Sequence, residues 1–79
     1  MIIFEKFKEI FETDIVMVEV GTISNDTVLM DLENWDSMAN ISLNACLDEN
    51  YGFTMSANEL MSLRVYGDIV EIISKRCSV

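Results

Sequence analysis

The residue pair with the clearest chemical potential is Asp36-Ser37. A serine hydroxyl can act as a nucleophile, cap a helix, or accept a group that another enzyme delivers. The chain contains no His, which removes Ser-His-Asp and Cys-His nucleophile systems and His-ligated metals. No evident base other than Asp36 stands beside Ser37, so any reaction at Ser37 requires catalysis from another protein. Either side chain can cap a helix N-terminus, and capping is the commoner use of such a serine. A phosphate ester on Ser37 would also face the unpaired N–H groups and the positive dipole end of the helix that starts there. The other reactive residues carry less. Cys46 and Cys77 lie 31 positions apart, which is neither a metal spacing nor a disulfide framework, and Cys46 reads as a small core residue. The acids of Asp31–Asp36 lack the alternating ligands and central Gly of a Ca²⁺-binding loop. No metal site is expected.

The elements that must position Ser37 follow from periodicity. Asp36-Ser37 opens a helix over residues 37–50, free of Gly and Pro until Tyr51-Gly52 closes it. Residues 14–35 precede it as a long loop pinned by apolar side chains. Within that loop Ile15–Val20 is rich in β-branched residues but has no obvious partner strand. Upstream, Ile3, Phe7, Ile10 and Phe11 recur at helical spacing, with Glu5, Lys6, Lys8, Glu9 and Glu12 opposite them, so residues 2–12 read as an amphipathic helix. Downstream, Ser56 caps a short apolar turn, Ala57 to Met61. A last helix runs from near Val65 to about Lys75 with Val65, Ile69, Ile72 and Ile73 as its buried stripe, and Lys75 and Arg76 suit its dipole. Three main helices and one short one make an all-α fold, a small helical bundle forming one domain over residues 1–79.

Charge and size exclude further classes. The chain has 79 residues with 5 Lys+Arg against 14 Asp+Glu. Both ends are slightly basic, whereas Glu9 to Leu63 holds 11 acids and no base. Nucleic-acid binding needs clustered cations, and that middle has none. No apolar run exceeds four residues, far short of the roughly 20 that span a bilayer. No cationic segment followed by an apolar stretch marks a secretory signal. A reduced, cytoplasmic monomer is expected.

The helix over 37–51 has two apolar faces. Ala39, Leu43, Cys46, Leu47 and Tyr51 form an ordinary core stripe. Met38, Ile41 and Ala45 form a second stripe on the opposite side, interleaved with Ser42, Asp48 and Glu49. Scattered surface apolar residues are common. The alternative is a surface that docks partners, with apolar contacts at its upper end and acids that select basic partners. The methionines other than Met38 read as ordinary gap-fillers.

These residues resemble a known family. Asp31-Leu32-Glu33-Asn34-Trp35-Asp36-Ser37-Met38 is similar to the Asp-Ser-Leu phosphopantetheine attachment motif of acyl carrier proteins, with Met in place of Leu. Asp48-Glu49-Asn50-Tyr51-Gly52-Phe53 resembles the family's acidic helix end and aromatic-Gly-apolar turn. Val65-Tyr66-Gly67-Asp68-Ile69 resembles the Val-Gly-Asp start of its last helix, with Tyr66 as an insertion-like difference. The resemblance spans essentially the whole chain, most strongly residues 31–73. It implies a four-helix bundle of acyl-carrier type, with a long loop between the first and second helices. Its cofactor would be 4'-phosphopantetheine, transferred from coenzyme A to Ser37 by a Mg²⁺-dependent phosphopantetheinyl transferase (a holo synthase), with Asp36 and Met38 flanking the attachment point. The arm would carry an acyl or aminoacyl group as a thioester, and the carrier itself would catalyse nothing. Met38, Ile41, Ser42, Ala45, Asp48 and Glu49 would form the surface gripped in turn by the transferase, by acyl- or aminoacyl-loading ligases, and by downstream biosynthetic enzymes. Where family members of fatty acid synthesis carry acids, this chain has Ala39 and Ser42, and Asn44 takes a place that is commonly apolar. The upper docking face is therefore neutral. Trp35 before the motif resembles stand-alone carriers of specialised pathways, and by its own chemistry reads as a loop anchor under the bundle. The rival reading is an acidic helical binding module on the same scaffold without a prosthetic group.

Overall fold

The computed structural model describes residues 3–77. They form four α-helices in chain order, α1 (Phe4–Ile10), α2 (Ser37–Tyr51), α3 (Ala57–Ser62) and α4 (Tyr66–Cys77). No strand occurs among the described residues; the one β-type contact is an isolated antiparallel bridge between Val28 and Val65. The expected helix over 2–12 starts at a position outside the described residues and behaves differently at its other end. After Ile10 the chain widens into a π-helical turn, Phe11–Ile15, closed by the Val16 N–H donating to the Phe11 carbonyl at 3.0 Å.

That turn overturns the expected outward position of Glu12. A 3.6-residue wheel loses its register through a π-turn, and Glu12 points inward, only 1% exposed. Its burial is compensated. The backbone N–H groups of Gly21 and Ile23 donate to its Oε2 at 2.9 and 2.8 Å, and Lys8 Nζ lies 3.7 Å away. A buried carboxylate is tolerated only with such partners, and these partners lock the long loop onto the end of the first helix.

The loop is held at two more places. At the Val28–Val65 bridge, the Leu29 N–H donates to the Arg64 carbonyl at 2.9 Å and the Tyr66 N–H to the Thr27 carbonyl at 3.0 Å. One step on, Gly67 N–H donates to the Asn25 carbonyl at 2.9 Å, and a Cβ at Gly67 would stand 2.9 Å from that same oxygen. Glycine is required there because backbone meets backbone. Val16, Ile23 and Leu29 are the apolar pins expected of this loop, and all three are buried.

The core joins Phe7 and Phe11 to Leu43 and Leu47 of α2 and to Tyr66, Ile69 and Ile73 of α4. Burial of each such side chain contributes about 1.5–3 kcal/mol relative to exposure. An aromatic series runs through it: Tyr66 lies 6.3 Å from Phe7 and 5.0 Å from Phe11, centroid to centroid, and Phe11 lies 6.0 Å from Trp35. Tyr66 is therefore a central core residue. Its hydroxyl is buried without a hydrogen-bond partner among the described residues, and burial drives its pKa far upward. Four expected core positions are revised: Ile3 is exposed at the N-cap of α1, and Ile10, Val65 and Ile72 are only half-buried.

The short helix α3 has no buried residue of its own. A capping box forms it: Glu59 N–H donates to Ser56 Oγ at 3.2 Å and Ser56 N–H donates to Glu59 Oε1 at 2.9 Å. Arg76 at the end of α4 reaches back to Glu59 Oε2 at 2.6 Å while lying over the Phe53 ring. The Ser56 N–H, with smaller help from Arg76, holds the Glu59 carboxyl below its usual range.

Candidate functional site at the start of the second helix

Ser37 is placed by what precedes it. Trp35 packs on Phe11 as the expected anchor, and Asn34 Nδ2 donates to the Val16 carbonyl at 3.1 Å. Asp36 adopts an extended backbone, and its Oδ1 accepts from the Ala39 N–H at 3.0 Å. Asp36 is thus the cap, and Ser37 is the first residue of α2. This resolves which of the two side chains caps the helix. The Ser37 side chain is exposed and its hydroxyl makes no hydrogen bond among the described residues. The N–H groups of Ser37 and Met38 likewise have no acceptor there. A free hydroxyl and two free donors at the positive end of a 15-residue helix form a place where a phosphodiester would be stabilised.

The two-stripe description of α2 holds. Ala39, Leu43, Cys46 and Leu47 are buried, and Tyr51 is half-buried. Met38 is 67% and Ile41 63% exposed, and Ser42, Ala45, Asp48 and Glu49 are exposed beside them. All six residues of the expected docking face therefore share one solvent side. Ala39 is the exception to the comparison with fatty-acid carriers. It faces the core, so the neutrality of the upper face rests on Met38, Ile41 and Ser42. Asn44, at a place commonly apolar, clamps the segment before α3: its Nδ2 donates to the Met55 carbonyl at 3.1 Å, and the Met55 N–H donates to its Oδ1 at 2.9 Å. Cys46 is a buried free thiol whose pKa is raised by burial.

One feature of the site has no counterpart in the sequence pattern. Between α2 and the π-turn runs a groove in two parts. The upper part is a hollow of about 160 Å³ bounded by Ile15, Met17, Asp36, Met38 and Ala39. The lower part holds about 450 Å³ between Ile10 and Ile15 on one side and Ser42, Ala45 and Glu49 on the other. Met17 is the one non-glycine residue with positive φ among the described residues, at 55°. That conformation costs a residue with a Cβ about 1–2 kcal/mol. The gap-filler reading of the methionines fails for most of them: Met17, Met30 and Met61 are exposed, and Met55 is buried. Turn chemistry gave no signal at Met17, because left-handed backbone is normally marked by Gly or Asn.

No helix among the described residues is long and apolar enough to cross a membrane, and no group of three or more Cys, Asp and Glu side chains there could hold a metal ion. The site and fold together define a four-helix, all-α domain with an exposed serine at the head of its longest helix. Searches against protein-family models, curated proteins and solved structures found no match to this chain.

Proposed function

We propose that this chain is an acyl carrier protein, modified on Ser37 with 4'-phosphopantetheine and passing acyl or aminoacyl groups between partner enzymes, in a specialised biosynthetic pathway. The observation that carries the reading is the division of labour at residues 36 and 37. Asp36 satisfies the helix end, which leaves the Ser37 hydroxyl exposed and unengaged beside two free backbone donors. The residues present fit the group. Ser37 is exposed, the free N–H groups of Ser37 and Met38 would hold phosphate oxygens, and the Asp36 carboxylate is engaged by the Ala39 N–H. When bound, the group supplies a thiol that carries cargo as a thioester. The chain's own residues provide the attachment oxygen and the anion-stabilising helix end. Because no His is present and Asp36 is engaged as a cap, the base that accepts the Ser37 proton belongs to the transferase.

The outward stripe of α2 supports the same reading. Folding does not use Met38 and Ile41, whereas a protein visited by several enzymes needs a face of this kind, and Asp48 and Glu49 at its lower end favour basic partners. The neutral upper end favours partners other than those of standard fatty acid synthesis. The test is intact mass after incubation with coenzyme A, Mg²⁺ and several broad-specificity phosphopantetheinyl transferases, including one from the source organism. The expected result is gain of one phosphopantetheinyl group, absent in Ser37→Ala. An unchanged mass with every transferase would favour an acidic helical binding module without a prosthetic group.

A further inference from the structure

We propose that the docking face extends off α2 onto Met17, and that Met17 and Met38 together receive one apolar side chain of a basic partner protein in the hollow between them. The identity of that partner as an enzyme acting on Ser37 rests on the carrier reading; the surface itself does not.

Met17 is held outward from both sides. The preceding Val16 is buried, donates its N–H to the Phe11 carbonyl at 3.0 Å and accepts from Asn34 at 3.1 Å. The following Val18 donates its N–H to the Glu12 carbonyl at 2.7 Å. Between these anchors the chain passes through the left-handed region at Met17, which leaves the side chain 70% exposed. A strained backbone that presents an unpartnered apolar side chain contributes nothing to folding, and strain of this kind gathers at binding sites.

Across the hollow stands Met38, equally exposed. The buried side chains of Ile15 and Ala39 form the floor, and Asp14 and Asp36 stand at the rim. At about 160 Å³ the space equals about five waters at ~30 Å³ each, which suits a single aliphatic side chain and is too small for a helix. Methionine is unbranched and polarizable, so a pair of them adapts to differently shaped side chains, as a surface serving successive partners requires. The rim carboxylates, within a stretch that has no base from residue 9 to residue 63, select cationic residues around the inserted side chain. The same negative field argues against a second copy of this chain as the occupant.

The test uses the full chain labelled with ¹³C at the methionine methyls and the peptide acetyl-Arg-Leu-Arg-amide as probe, beside versions with Ser for Leu and with Glu for Arg. The Leu peptide is expected to shift the Met17 and Met38 methyl resonances together and to leave Met61 unmoved, and the two control peptides should do neither. Met17→Gly, which suits the left-handed backbone, is expected to keep the melting temperature and to weaken peptide binding about tenfold, as loss of part of a buried Met side chain implies. The same variant should raise KM for Ser37 modification about tenfold with kcat unchanged. A Met17 methyl that stays still at millimolar peptide, or a response confined to Met38, overturns the proposal. So does a Met17 shift produced by modification of Ser37 alone, which would place the arm in the hollow. If no transferase modifies the wild-type chain, the carrier reading falls, and the peptide titration still decides the docking surface.

Discussion

The two longest helices spend their apolar residues differently. In α4, apolar and polar side chains are sharply segregated, and Tyr66, Ile69 and Ile73 go into the core. In α2 they are spread nearly evenly around the axis: Leu43 and Leu47 are buried while Met38 and Ile41 are more than half exposed. A helix whose apolar residues all serve folding is one-sided. The surplus on α2 lies on the side that leads up to Ser37, and the strained Met17 adds to it from the loop. Folding explains α4 completely and α2 only in part, and the unexplained part is where recognition is proposed.

That contrast can be broken by truncation. Ile73→Ala in α4 is expected to destabilise the chain by about 2–5 kcal/mol, whereas Ile41→Ala in α2 should stay within about 0.5 kcal/mol of wild type. Urea unfolding of both variants measures the difference, and equal losses would erase it. A second substitution sharpens the role of α4 in holding the loop. Gly67→Ala forces a Cβ against the Asn25 carbonyl and should cost about 1–3 kcal/mol, as overpacking does. It should also raise hydrogen exchange at the Leu29 and Tyr66 amides, which form the adjoining bridge.

The smallest effect concerns the end of α4. The Glu59 carboxyl is held below its usual range by the Ser56 N–H, so its contribution is complete above the ordinary Glu pKa of about 4.3 and is lost as pH falls through the lowered folded value. The protection factors of the Ser56 and Glu59 amides, taken relative to the intrinsic exchange rate at each pH, should therefore fall only in acid, while the α2 amides keep theirs. A fall in those protection factors near neutral pH would contradict that sign.

Much of this was legible in the sequence because it is local. The cap and Gly52 closure of α2, the Ser56 cap of α3 and the period of α4 all depend on neighbours within a turn or two. Both stripes of α2 followed from the same period. What was not legible depends on contacts distant in the chain. Glu12 read as a surface residue because its partners, the Gly21 and Ile23 amides, come from a loop without periodicity, and because the π-turn rotates it off the helical wheel. Tyr66 read as an insertion-like difference, although it joins Phe7 and Phe11 at the centre of the core. Met17 carried no signal, because its backbone is set by hydrogen bonds to its neighbours and not by its own side chain.

The central claim is that the outward face of α2 serves partners at Ser37 and is dispensable for folding. Its most direct test is the initial rate of Ser37 modification in Met38→Asp, followed by intact mass, with the melting temperature taken on the same sample. Loss of a buried apolar contact to the transferase should slow modification about tenfold or more, and at a position this exposed stability should change by no more than about 0.5 kcal/mol. An unchanged rate, or a collapse in melting temperature, would contradict it.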